Sequence, residues 1–241
     1  IGTVLLLDVV GAVFAITTLL FIAIPNPIKK DKDPSEGLKQ VWEDLHLGFN
    51  EIHVNKGLRM LFFYSVVAMF CIMPVAVLFP LLTIQHFNGG KFEMSIVEVA
   101  WGVGMLVGGS VLGIWKPQFK KVILINFMNV IIGITFTWSG LLNASQFVLF
   151  AVLTAIGGVA AAMYNASFTT IIQEQVKPNM LGRVFSLYYS VTIIPSVFGL
   201  LSTGFVADFI GIEQTFIWLG IVVSLMGVFA FFTPSLMRLE K

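Results

Sequence analysis

Two carboxylates inside apolar stretches, Asp8 and Glu98, are the residues of this 241-residue chain best placed to do chemistry. A charge in hydrocarbon is costly unless it is paired or functional, so an acid held there can bind and release a proton. Asp8 lies about two turns into its stretch and Glu98 about one turn into its own, counted at 3.6 residues per turn. At that depth a carboxylate can also snorkel to the interface or pair with a helix end. No Lys or Arg lies inside an apolar stretch, so no fixed cation is offered to an anionic ligand. His46, His53 and His86 fall in connections, and no HExxH, Walker loop, paired-carboxylate or Ser/His pattern occurs. The expectation is a protein without catalytic residues, bound metal or cofactor, and not an enzyme. The single cysteine, Cys71, falls in the middle of a stretch and reads as a small buried apolar side chain, which rules out a disulfide framework.

Uncharged polar and small residues supply the other candidates. Thr154, Gly158, Ala161 and Asn165 follow helical spacing and share a face, suited to a close helix contact or to a water-filled cavity. Gly104 with Gly108, and Gly109 with Gly113, form overlapping small-xxx-small pairs that let another helix approach backbone to backbone. Pro74, Pro80 and Pro195 remove backbone donors inside apolar stretches and permit bends there.

These residues sit in seven apolar stretches, roughly 1–24, 60–82, 95–115, 122–142, 147–171, 184–207 and 213–235. Each reaches about 20 residues, the length at which a helix crosses about 30 Å of hydrocarbon. The fold class is therefore all-α integral membrane, a polytopic helical bundle whose partner is the lipid bilayer. Hydrophobic residues make up 57% of the chain and charged ones 11%, against about 25% charged in soluble domains. A net charge of +1 excludes nucleic acid as a partner, because phosphate recognition needs clustered positive charge. Once the stretches are threaded through a bilayer, Lys91 stands on one side and the other thirteen of the fourteen Lys and Arg on the opposite side. Cations are retained in the cytoplasm, which predicts a cytoplasmic C-terminus and an outward Ile1. Since Ile1 already lies inside a span, the chain reads as the C-terminal piece of something longer. The polar segment 25–57 carries an Asp33-Pro34-Ser35-Glu36 helix start, followed by Leu38, Val41, Trp42, Leu45, Phe49 and Ile52 at steps of three or four. The stripe predicts an amphipathic helix along the membrane surface or against the span ends. The domains expected are a first transmembrane helix (1–24), a cytoplasmic loop with this helix (25–59) and a six-helix unit (60–241).

The run Pro178-Asn179-Met180-Leu181-Gly182-Arg183-Val184-Phe185-Ser186-Leu187, continuing to Ser190, Pro195, Gly199, Gly204, Ala207, Asp208 and Gly211, resembles the start and body of the eleventh helix of major facilitator superfamily transporters. Within that superfamily it looks most like the macrolide-efflux and related multidrug or siderophore exporters. Ile24-Pro25 and the approach from Trp42 to Leu61 resemble the central loop of that branch. The resemblance covers essentially the whole chain and implies helix six, the central loop and helices seven to twelve. It implies proton-coupled efflux of a small hydrophobic or amphipathic substrate by alternating access, in concert with an N-terminal half. On that reading Phe63, Phe70, Met73, Tyr164 and Asn165 face the substrate cavity, and Asp8 and Glu98 are proton-coupling candidates. Lys116, Lys120, Lys121 and Arg183 belong to the inner gating loops, and Gly104, Gly108, Gly109, Gly113, Pro74 and Pro195 serve packing and bending. One departure stands out. After Gly113 come Trp115, Lys116, Pro117, Lys120 and Lys121, without the aspartate and inner glycine of the Gly-x-x-x-Asp-Arg-x-Gly-Arg-Lys motif expected at that link. A siderophore or lipid exporter, or a non-transporting scaffold packed through the glycine faces, remains open at this stage.

Overall fold

The computed structural model describes residues 2–21, 37–115 and 120–240. The chain divides into two compact units, Ile1–Val41 and Trp42–Lys241. In the first lies α1 (Gly2–Phe21), whose side chains from Val9 onward are exposed. The helix start expected at 33–36 lies outside the described residues, as does the side chain of Asp8. Its helix, α2 (Gly37–Val54), carries the expected stripe unevenly: Ile52 is buried and Leu45 half-buried, while Trp42 and Phe49 are exposed.

The second unit holds α3 (Lys56–Leu81), α4 (Lys91–Trp115), α5 (Lys121–Leu141), α6 (Phe147–Gln175), α7 (Leu181–Ile210), α8 (Ile212–Phe231) and a short α9 (Pro234–Met237). Helices α3 to α8 are each long and apolar enough to cross a membrane, so the protein is multi-pass. Among the described residues there is no strand. Consecutive helices run in opposite directions, and contacts at both ends of the bundle follow from that. At one end His86 after α3 reaches Leu142 after α5 and Glu213 at the start of α8. At the other, Lys121 at the start of α5 meets Glu174 near the end of α6 and Glu240 beyond α9.

Helices α5, α6 and α8 form the packed back of the unit, with α4 laid on α6, and α7 on α3. Small residues set the crossings. A Cβ on Gly133 of α5 would strike the backbone of Ser224 and Gly220 on α8, and one on Gly220 would strike Thr137 and Gly133. Gly104 and Gly108 lie directly against the Ala155 and Val159 carbonyls of α6. In lipid such close approach replaces the hydrophobic drive as the source of association. Gly109 and Gly113 meet nothing within 4 Å among the described residues, because five residues of helix turn them away from the Gly104 row. Side chains of Phe79, Phe136, Phe150 and Phe216 fill the centre, with ring centroids 5.3–6.4 Å apart where they pair.

The prolines do not break the helices. α3 runs unbroken through Pro74 and Pro80, and α7 through Pro195. Pro74 packs its ring against Gly199 of α7, 3.2 Å from where a Cβ there would sit. Beyond Pro80 the helix widens into one π turn, Leu82–His86. Its altered ladder is satisfied locally: Leu82 N–H is shared by the Leu78 and Phe79 carbonyls, and the Thr83 hydroxyl donates to Phe79 O at 2.9 Å.

Candidate cavity and the charged ends of the bundle

Between the end of α3 and the start of α4 lies a cavity of about 280 Å3. Its walls are Ile72, Ala76, Phe79 and Pro80 from α3, Thr83 from the π turn, and Met94, Val97, Glu98 and Trp101 from α4. Phe136 and Thr154 form the floor. The hydroxyls of Thr83 and Thr154 are spent on the Phe79 and Phe150 carbonyls. That leaves the Glu98 carboxylate as the ionisable group in an otherwise apolar, aromatic chamber. Trp101 and Phe79 stand 6.3 Å apart, centroid to centroid. Ligand sites run from about 300 to 1,000 Å3, so this chamber of about 280 Å3 lies at the small end of that range.

The other sequence-selected residues lie elsewhere. Phe63, Phe70 and Met73 are exposed on α3, and with Val77 and Leu81 they make a continuous apolar stripe at steps of seven, three, four and four. Asn165 is exposed on α6, its amide donating to Ala161 O at 2.9 Å. Tyr164 is buried, its hydroxyl 2.7 Å from Ser65 Oγ on α3, so it ties two helices together and has no open face. The Thr154, Gly158, Ala161, Asn165 row changes character along its length. Thr154 is buried, Gly158 sits against the Trp101 carbonyl, and the row opens to the exterior at Asn165. Glu98 is thus not in one chamber with Phe63, Phe70, Met73 or Asn165. Phe79 and Trp101, which line the chamber beside it, carry no sequence signal beyond their apolar type.

The end that holds the C-terminus is knit by charge. Arg183 at the start of α7 donates from Nε to Asp44 Oδ1 of α2 at 2.8 Å, and Gly48 of α2 lets that helix come against the Arg183 carbonyl. Lys121 pairs with Glu174 at 2.9 Å and Glu240 at 3.4 Å. Glu240 Oε2 also accepts the Val122 N–H at 2.9 Å, a cap for α5 that Lys120 does not provide. A carboxylate at a helix start satisfies an orphan donor and the positive end of the dipole. The link that lacks the motif aspartate therefore receives a carboxylate from Glu240, over a hundred residues away. Lys120 is exposed, and Lys116 lies outside the described residues. Among the described residues no group of His, Cys, Asp and Glu is arranged to hold a metal.

None of the three histidines sits in a loop, contrary to what their sequence positions suggest: His46 and His53 lie in α2 and His86 in the π turn. His86 closes the π turn, half-buried, between Glu213 and the Leu142 carbonyl. Glu213, at the start of α8, is its partner.

Comparison with known proteins places these features. Residues 61–238 match the Major Facilitator Superfamily. Macrolide efflux protein A of Streptococcus pyogenes is 34% identical over 228 residues, covering 94% of this chain and 55% of that protein. Macrolide efflux protein A of Enterococcus faecalis is 36% identical over 200 residues, 83% of this chain and 61% of that one. Multidrug efflux pump Tap of Mycolicibacterium fortuitum is 26% identical over 208 residues, 85% of this chain and 47% of the pump. The chain spans about half the length of the curated relatives it matches.

Proposed function

The chain belongs to the Major Facilitator Superfamily, and from that premise we propose that it forms helices six to twelve of an exporter of hydrophobic or amphipathic compounds, macrolide-like drugs among them. The domains are a sixth transmembrane helix (1–24), a central cytoplasmic loop (25–59) and the C-terminal six-helix half (60–241). The protein sits in the plasma membrane with its C-terminus in the cytoplasm, as the lysine and arginine asymmetry favours. Its partners are the substrate, protons and an N-terminal half of the same protein.

The observation that carries this reading is the similarity to macrolide efflux proteins along nearly the whole chain. The open apolar face of α3 supports it. Phe63, Phe70 and Met73 of that face, with Asn165 of α6, would form the C-terminal wall of a midplane cavity. The chamber at Glu98, too small for a whole macrolide, would take a limb of it. Glu98, the ionisable group at that chamber, is the proton-coupling residue of the half, with Asp8 as a second acid. Binding a proton removes a charge from an apolar wall, and releasing it restores the charge. Such a change biases one arrangement of the two halves over the other. Arg183 with Asp44, and Lys121 with Glu174 and Glu240, would lock the cytoplasmic end and part as it opens.

The test is accumulation of a labelled macrolide in a sensitive host expressing the intact protein. Wild type lowers accumulation, and collapse of the proton gradient raises it again. Glu98→Gln leaves the protein in the membrane and abolishes gradient-driven export. Equal accumulation with and without the protein, across macrolides and unrelated apolar drugs, overturns the export reading. Export unaffected by Glu98→Gln removes that residue from coupling.

A further inference from the structure

The hydrogen bonds of His86 require one proton more than a neutral histidine and an ionised glutamate supply. Nε2 lies 2.7 Å from the Leu142 carbonyl, which can only accept, so Nε2 must carry a hydrogen. Nδ1 lies 2.8 Å from Glu213 Oε1. In a neutral ring whose hydrogen is on Nε2, Nδ1 is itself an acceptor, and two lone pairs would face one another. A hydrogen bond exists there only if a further proton lies between them, on the ring or on the carboxyl, and it then belongs to the pair. The partners lie 56 and 127 residues away in sequence, so this proton joins the end of α3 to the ends of α5 and α8.

We propose that His86, Glu213 and the Leu142 carbonyl form a proton-binding clasp at the end of the bundle opposite the C-terminus, fastened when the shared proton is bound and released when it leaves. The cluster is distinct from Glu98 and does not rest on the export reading. Its surroundings suit a proton site. A cavity of about 520 Å3 between α3, α7 and α8 reaches both His86 and Glu213, giving the proton a route. From α7 that cavity presents Asp208, a second carboxylate, and its lining contains no Lys or Arg. α4, which also packs on the π turn, begins with Lys91 and Glu93, and the Glu93 carboxylate is engaged by the Gly90 N–H at 2.6 Å. The ring stands edge-on to the buried Phe87, at 4.7 Å between centroids, which orients it in the fastened clasp. The wider π turn is what sets His86 at this spot, since Phe87 N–H closes on Leu82 O five residues back.

The experiment uses the intact chain in lipid nanodiscs, with His46→Gln and His53→Gln leaving His86 as the only histidine of this chain. Nitrogen NMR of the ring near neutral pH reads its protons, and amide exchange at Phe87 and Thr215, corrected for intrinsic rate, reads the clasp. Wild type should show a second proton shared between Nδ1 and Glu213. Its protection should fall about tenfold as pH rises, the factor one net hydrogen bond is worth. In Glu213→Gln the amide can donate to a neutral ring, so both bonds survive without the extra proton and protection becomes independent of pH. His86→Phe should lose protection at every pH. A wild-type ring with a lone Nε2 hydrogen and an unshared Nδ1, or a pH profile unchanged by Glu213→Gln, overturns the proposal. The wild-type spectrum alone decides it if either variant fails to fold.

Discussion

The back of the six-helix unit and its open face are built from the same residue types and differ in what they touch. Over the most apolar part of α5, α6 and α8, 56%, 50% and 33% of residues are buried, against 17% in α4 and again in α7. All five are apolar, so hydropathy alone does not separate them. Contact does: α5 crosses α8 at Gly133 and Gly220 with backbones touching, while α4 reaches α6 with one glycine row and leaves the other bare. In a protein whose solvent is lipid on most sides, an exposed apolar face is either lipid-facing or reserved for another surface. The contrast puts the close packing in the back and leaves the face without a packing role inside this unit.

The same substitution placed on each side tests that contrast most strongly. Gly133→Leu should abolish recovery of monodisperse protein on size exclusion, since its Cβ alone meets the Ser224 and Gly220 backbone. Gly109→Leu, with nothing within 4 Å of its Cβ, should leave the yield within about twofold, as for an exposed site. Phe150→Ala removes a fully buried ring packed at 4.8 Å on Phe87 and 5.7 Å on Phe79. It should cost about 3 kcal/mol, seen as a clear fall in thermal midpoint. Tyr164→Phe loses only the hydrogen bond to Ser65, a loss of about 1 kcal/mol, with a correspondingly small shift in midpoint. Asn165→Leu lies on the face and should leave thermal stability and expression unchanged while altering the pattern of drug resistance. Unchanged resistance across a drug panel would take Asn165 off the face that meets substrate.

The six spans of this unit were legible because each is a long uninterrupted apolar run, and 60–82 or 147–171 needed only extension by a few residues at their ends. The family was legible from a local motif, the run from Pro178 to Leu187. What escaped was non-local. Gly104–Gly108 and Gly109–Gly113 are identical as spacings, and only the packing of α4 on α6 tells which pair touches. The prolines read as sites that permit bends, and the helices run on through them. His86 read as a loop histidine because its partners are brought to it by three antiparallel helices, and periodicity along one helix carries no trace of them. Tyr164 and Asn165 are adjacent in sequence, and the helix turn of about 100° between them buries one and exposes the other.

On the proposed function, the exposed stripe of α3 and the Asn165 end of α6 meet water and substrate. Single-cysteine accessibility tests it directly. In the intact protein carrying Cys71→Ala and no other native cysteine, Phe70→Cys and Asn165→Cys would be treated with a hydrophilic maleimide, with and without macrolide. Phe127→Cys and Phe229→Cys, on the exposed sides of α5 and α8, serve as comparison. Labelling is expected at Phe70→Cys and Asn165→Cys, suppressed by macrolide, and none at Phe127→Cys or Phe229→Cys. Equal refusal of the reagent at all four positions would make the α3 face a lipid-facing surface and contradict it.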